Sequence, residues 1–362
     1  MIMKAKKGIQ SKQNVFLILL ISVLVYPLFG QDIRPIRDDV GYCWDPHQMT
    51  RFIAFLESQY AGEKGFPDLI AGISPHDDYL YAGNVYYSLF KNIKAREVLI
   101  LGVTHGVVRQ KIGDPRNKLI FENHRFWKGP FKNVPVSPLR DYLIEKMNPE
   151  YLLIDNRAHQ LEHSIESAIP FLQYFNPGVT ITPIMVTAMP FGQMEKISED
   201  LARHIRSYIN EKNLRLGRDL FILISADANH YGEDFDNTVF GMDDRGHQLG
   251  TALDKKIVDS CLRGTISPAK IKKLTGLLWG KTYLENSDTL WCGKYSIPFG
   301  LLTLVKTITG PETAKSLKGY PIQYTDTYSS GVLSLKKTGM GITAPFSLKH
   351  WVGFFSAGFY LE

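Results

Sequence analysis

Three apolar runs of strand length end in residues that bind metals or move protons. "LIAGIS" gives way to Pro75, His76, Asp77 and Asp78, "VLILGV" to Thr104, His105 and Gly106, and "LFILIS" to Asp227, Asn229 and His230. A turn after a buried strand needs only glycine, asparagine or aspartate. Each of these ends instead delivers a histidine, out of ten in the whole chain. Imidazole is the commonest metal ligand, and a catalytic ion takes few protein ligands so that positions stay open. His76 and His105 are therefore candidate ligands. His230 is either a further ligand or, with Asp227 three residues upstream, part of an acid/base pair.

Two other stretches carry chemistry. Cys292, in "SDTLWCGKYSIPFG", precedes an apolar run of helical period (Ile297, Leu301, Leu304, Val305). That places its thiol near a helix N-terminus, where a thiolate is stabilised. It is a candidate third ligand, and it equally suits an ordinary buried cysteine or a disulfide with Cys43. Residues 159–163, "HQLEH", match H-x-x-E-H, the inverted zinc-peptidase signature, with His159, Glu162 and His163 on one helix. The bland reading is an amphipathic helix that buries Leu161, Ile165, Ala168 and Leu172 and is interrupted by Pro170.

These side chains need a scaffold that gathers strand ends. Apolar runs predict strands at residues 69–74, 98–103, 179–186 and 220–225, with late strands at 331–335 and 352–361. Helical periods surround Phe52, Phe55 and Leu56, then Val85, Leu89 and Phe90, then Ile197, Leu201, Ile205 and Ile209. Such alternation predicts a single α/β domain over residues 31–362, with a largely parallel central sheet flanked by helices on both faces. Ligands in such folds bind beyond the carboxyl ends of the strands.

With 362 residues, 44% hydrophobic and 12% aromatic, the chain can bury a sizeable core. Its start is different in kind. "MIMKAKKGIQSK" is basic and free of acids, and "VFLILLISVLVYPLFG" follows closely. Residues 1–30 read as a signal peptide, so the protein is expected to be exported, periplasmic or secreted; uncleaved, the segment would be a membrane anchor. Subtracting its four lysines from the formal charge of +6 leaves +2, with no basic stripe to suggest nucleic acid. Three cysteines (Cys43, Cys261, Cys292) do not make a disulfide scaffold.

Taken in order, the motifs resemble the Memo family, known in bacteria as AmmeMemoRadiSam system protein B. Members carry "PHAGY", "GPSH", "EHSLE", "SSDxSHY" and a late "CG". The corresponding segments here are "PHDDY" (75–79), "GVTH" (102–105), "EHSIE" (162–166), "SADANHY" (225–231) and "CG" (292–293), and "YTDTYSSG" and "WVGFFSAGFY" resemble the family's closing segments. The resemblance implies a fold like that of class III extradiol ring-cleaving dioxygenases. It also implies a two-histidine, one-cysteine metal centre of His76, His105 and Cys292, with Asp227 and His230 as the acid/base pair. "EHSIE" becomes a helix beside the site, with Glu162 and His163 supporting the ligands. Asp77 and Asp78 depart from the family's Ala-Gly and add carboxylates next to a ligand, and Val103 replaces a proline.

Two imidazoles and a thiolate suit Fe(II) or copper and are compatible with zinc. The function expected is an exported metal-dependent redox enzyme, dioxygenase-like, acting on a phenolic or catechol-like small molecule. Two alternatives stand beside it: a non-catalytic metal- or partner-binding protein, and a zinc peptidase acting through "HQLEH".

Overall fold

Alternate side chains of the central strands enter different cores. Leu99 and Leu101 pack with Ile222, Ile224 and Ile184 on one face, while Val98 and Ile100 pack with Phe221, Leu223 and Met185 on the other. The period of two along a strand dictates this division, and continuously apolar strands result because both faces are covered. These strands belong to a computed structural model that describes residues 32–59, 66, 68–309 and 315–362. The expected leader, residues 1–30, lies outside the described residues.

In chain order the strands of the main sheet are β1 (Ala71–Ser74), β2 (Glu97–Val103), β3 (Leu119–Phe121), β4 (Leu152–Ile154), β5 (Thr180–Val186), β6 (Leu220–Ser225), β7 (His230–Gly232), β8 (Gly264–Thr265), β9 (Leu317–Asp326) and β10 (His350–Leu361). Their spatial order is β8-β9-β10-β1-β6-β2-β5-β3-β4, with β7 pairing to β10 off this path. β1, β6, β2 and β5 run parallel. β10 is antiparallel to both of its neighbours, β9 and β1, and β3 is antiparallel to β5. The expected α/β sheet flanked by helices is present, with a parallel centre, and the sheet as a whole is mixed rather than purely parallel. Its parallel centre is built by helical crossovers, whereas β9 and β10 return against each other without one.

The late strand expected at 331–335 is irregular chain instead, and the preceding strand is β9. Gly319 and Pro321 interrupt the apolar pattern of β9, and a register shift follows between Pro321 and Gln323. A bulged, half-exposed strand leaves little periodic signal.

Helices α1 (Pro46–Gln59), α2 (Tyr79–Phe90), α3 (Gly106–Lys111), α4 (Pro138–Lys146), α5 (Asn156–Leu161), α6 (Ile169–Phe175), α7 (Phe191–Glu211), α8 (Asp244–Leu262), α9 (Pro268–Leu278) and α10 (Ser296–Ile308) flank the sheet. α1, α2 and α6 cover one face; α4, α7, α8, α9 and α10 cover the other. α10 lies nearly flush on β6, since a Cβ at Gly300 would come within 2.5 Å of Ile224. A separate small sheet joins Ile33–Arg34 to Phe126–Trp127 and Val134–Pro135. Among the described residues, no helix is long and apolar enough to cross a membrane. Cys43, Cys261 and Cys292 are all free thiols, so Cys292 is not paired with Cys43.

Candidate metal centre

β1, β6 and β2 are neighbours in the sheet and parallel, so their carboxyl ends open side by side. His76 follows β1, Asp227 follows β6, and His105 follows β2. Cys292 enters from the turn that leads into α10. One donor atom from each of His76, His105 and Cys292 lies within 4.8 Å of the other two. Two further groups of the same kind share these residues, one of His105, Glu162 and His163, the other of Asp227, His230 and Cys292.

The surrounding hydrogen bonds fix the tautomers. Ser225 donates its hydroxyl to the Ser164 carbonyl (2.5 Å), which leaves its oxygen to accept from His76 Nδ1–H (3.0 Å). His76 Nε2 is then a bare lone pair. It nevertheless lies 3.2 Å from Asp227 Oδ2 and 3.4 Å from Cys292 Sγ. Three electron-rich atoms converge, and they attract one another only around a cation or a proton. A proton on His76 is disfavoured, since burial and the neighbouring His105 push its pKa well below the ordinary histidine value. Cys292 and Asp227, whose proton affinities burial raises, can each hold such a bridging proton, and the same imidazole and sulfur donors also fit a metal ion.

His105 is held in the same sense. Its Nδ1–H donates to Glu162 Oε1 (2.8 Å) and its backbone N–H to Oε2 (2.9 Å), leaving Nε2 free. Carboxylate support of this kind orients a ligating imidazole and raises its basicity. Burial works against ionisation of Glu162, but the attraction and hydrogen bonds of His105 prevail and hold it below the usual carboxylate range. Burial likewise opposes a charge on His105, and Glu162 outweighs it and raises the pKa.

Cys292 corrects one expectation. Rather than being lowered by a helix terminus, the thiol is pushed up by burial and by the Asp227 carboxylate. The thiol precedes α10 by four residues, too far from the helix's free N–H groups to benefit strongly. A bound cation would supply the missing compensation, and the Asp227 N–H already donates to the sulfur (3.1 Å). Gly293 lets the turn approach, since a Cβ there would lie 2.3 Å from Ala226 Cβ.

His230 does not keep the proton affinity of an ordinary histidine. Burial, and then the charge on His105, push it down to about 4. Its Nδ1–H lies 3.3 Å from the Ala228 carbonyl, so Nε2 is a neutral acceptor. Asp227 is shifted the other way, raised chiefly by burial, while its Oδ1 accepts the His76 backbone N–H (2.9 Å). The Asp78 carboxylate does not support a ligand: it accepts from Thr343 N–H (2.5 Å) and from the Thr343 hydroxyl.

The helix expected through "EHSIE" is absent. α5 ends at Leu161, Glu162 is extended, and a single 3-10 turn covers Glu166–Ala168. The chain breaks there because Glu162 turns back to accept the N–H groups of His163 (2.9 Å) and Ser164 (3.0 Å) as well as that of His105. Pro170 does not interrupt a helix but sits in the first turn of α6, where proline is tolerated. His159 and His163 consequently share no helical face. His159 is buried against the Ile120 carbonyl (2.9 Å), and among the described residues no metal-holding group includes it. His163 stacks on His105 at 4.8 Å.

Several supporting residues escaped the sequence reading. Arg34 is fully buried: it pairs with Glu166, donates to the carbonyls of His159 (3.0 Å) and Glu162 (2.5 Å), and lies over the Trp127 ring. Glu166 also accepts from the backbone N–H of Arg37 (2.9 Å) and Asp38 (2.6 Å). Behind the cysteine, buried Asp254 accepts from Trp291 (2.7 Å), Thr289 (3.1 Å), Tyr324 (2.8 Å) and Asn229 N–H (3.2 Å), tying the Asp227 and Cys292 loops together. An isolated arginine before the first helix carries no periodic or motif signal, and neither does an aspartate within one.

A family model described as "Memo-like protein" matches residues 41–330. A MEMO1 family protein of Sulfolobus acidocaldarius is 33% identical over 172 residues, covering 46% of this chain and 55% of the relative. One from Saccharolobus solfataricus is 32% identical over 176 residues, covering 47% and 56%. One from Thermococcus kodakarensis is 29% identical over 217 residues, covering 56% and 69%. The chain thus spans about half the length of the first curated relatives it matches.

Proposed function

Because this chain belongs to the Memo-like family, we propose that it is a mononuclear metalloenzyme of redox type, with His76, His105 and Cys292 holding one ion of iron or copper. The observation that carries the reading is the convergence of the His76 Nε2 lone pair, the Cys292 sulfur and an Asp227 oxygen. Fixed tautomers at His76 and His105 support it, as both rings are held through Nδ1 and offer Nε2. Two imidazoles and a thiolate suit iron or copper better than the hard cations, and zinc satisfies the same set without a redox couple. When bound, the ion supplies Lewis acidity and a one-electron couple.

The protein's own contribution is to position and to exclude water. Neutral His230, with Nε2 free, accepts a hydrogen bond or a proton from the hydroxyl of a phenolic or catechol-like substrate. Asp227, buried beside it, takes up a proton more readily than an exposed carboxylate and holds the His76 backbone in place. Phe235 packs edge-on against His230 at 5.0 Å and shields that ring from solvent. Export through the leader at residues 1–30 belongs to the same reading.

The test is metal content by mass spectrometry in wild type, Cys292→Ala and His76→Ala, with dioxygen uptake measured on a panel of catechols. The reading predicts about one ion per chain in wild type, loss in both variants, and uptake that depends on the ion. Full retention of metal in both variants would remove the centre. Stoichiometric metal without any substrate-dependent uptake would leave a metal-binding protein and not an enzyme.

A further inference from the structure

The centre lies between two cavities of unlike lining. The one on the His76 side, about 300 Å³, is lined by four carboxylates: Asp38, Asp77, Asp78 and Asp227. The one on the Cys292 side, about 380 Å³, is lined by no carboxylate and by two cations, Arg109 and Lys294. His105, His230 and Phe235 face both. An anionic group on a ligand at this centre is therefore drawn to the Cys292 side, where the two cations lie.

The two cations act differently. Lys294 Nζ donates to the carbonyls of Leu284 (3.4 Å) and Glu285 (3.1 Å) and to Asn286 Oδ1 (2.7 Å). These three acceptors use its three protons but leave its charge without a counter-ion among the described residues. Arg109 has a carboxylate only at 3.8 Å, that of Asp114, and its Nε is buried with no hydrogen-bond partner. That Nε is out of a ligand's reach, and it is the outer Nη edge of this planar guanidinium, on the cavity wall with no close carboxylate, that suits a planar, two-oxygen anion. Much of the remaining wall is apolar, with Val107, Val186, Leu284, Leu290 and Tyr295, beside the polar Thr104, Asn286 and Ser296. A cavity of this size and lining takes a small ligand with an apolar or aromatic body.

We infer that the substrate of this centre is a small aromatic or apolar carboxylic acid, its carboxylate held by Arg109 in the field of Lys294 and its body extending towards His105 and His230. The word substrate rests on the metalloenzyme reading; the carboxylate preference of the cavity does not.

Calorimetric titration of the full chain with 3-phenylpropionate and with uncharged 3-phenylpropionamide tests it, on protein as purified and after metal removal by chelator. The acid is expected to bind about tenfold more tightly than the amide in both preparations. Arg109→Gln is expected to abolish that preference and Arg109→Lys to keep part of it, while amide binding, unchanged in both, reports an intact fold. Equal binding of acid and amide, no binding of the acid, or a preference that survives Arg109→Gln would overturn the inference. So would a preference lost on metal removal, which would place the carboxylate on the ion, or tenfold tighter binding of phenethyl phosphate, which would reassign the anion. Metal content is measured on the same samples. An Arg109-dependent preference in protein that never holds a stoichiometric ion sinks the metalloenzyme reading and upholds the cavity assignment.

Discussion

Glu162 grips His105 at two points, accepting its ring Nδ1–H at 2.8 Å through one oxygen and its backbone N–H at 2.9 Å through the other. Both the position and the tautomer of this candidate ligand therefore depend on one carboxylate. In Glu162→Gln the new amide N–H₂ must face either the His105 backbone N–H or its Nδ1–H, donor against donor. The ring rotates or changes tautomer, and metal affinity should fall roughly 10- to 100-fold. Competition with a chromogenic chelator measures this directly, and unchanged affinity would show that His105 is not a ligand through Nε2.

Gly293 offers a steric probe of the same centre. A Cβ built there lies 2.3 Å from Ala226 Cβ and 2.8 Å from Ile297 Cδ1. Ala226 sits on the loop leaving β6 and cannot swing aside as a long side chain would. Gly293→Ala should therefore move the Cys292 turn, weakening metal binding by about tenfold or more and costing about 1–3 kcal/mol in stability through overpacking. Gly276→Ala, on α9 with open space around it, is the matched control: it should leave metal binding unchanged and raise stability by up to about 1 kcal/mol.

How much of this was readable beforehand follows from what kind of information each feature carries. His76, His105 and Asp227 were legible because each sits at the end of a buried strand whose apolar run announces itself. The parallel core was legible for the same reason. The antiparallel half was not: β9 contains Gly319, Pro321 and a register shift, and pairing direction leaves no mark on period. The "HQLEH" helix was misread because H-x-x-E-H fits a helical face in isolation. Only tertiary structure supplies the His105 N–H and the backbone groups that pull Glu162 out of the helix. Burial set the proton affinities of His230 and Cys292, and burial is not visible along a sequence.

Arg34 and Glu166 make a buried pair that ties the start of the described chain to the loop carrying Glu162 and His163. Breaking one side of such a pair strands the other charge. Arg34→Met is expected to cost about 3–5 kcal/mol in urea unfolding. Glu166→Gln should cost less, since its oxygen still accepts from the N–H groups of Arg37 and Asp38 and Arg34 still donates to the carbonyls of His159 and Glu162. The double variant should be more stable than the sum of the single costs predicts, because the second change removes a charge already stranded. Additive costs would mean that the pair contributes nothing as a pair.

His159 separates the metal question from the stability question. Burial, opposed by the hydrogen bond to the Ile120 carbonyl, lowers its pKa to about 3, whereas an unfolded histidine titrates near 6.5. Between those values the unfolded chain binds a proton that the folded chain refuses. The stability due to neutral His159 is thus complete above about pH 6.5 and is lost as pH falls towards the folded value. In His159→Gln the amide can still donate to Ile120 and does not titrate. The variant should be less stable than wild type at pH 7.5, through poorer packing against Trp127. That deficit should shrink by up to about 1.4 kcal/mol for each pH unit below 6, a convergence readable from paired urea titrations at pH 7.5, 6.0 and 5.0. Metal content at pH 7.5 should match wild type. A variant that lost its metal there would restore the "HQLEH" reading, and a deficit independent of pH would mean that folded His159 takes up a proton as readily as the unfolded chain does.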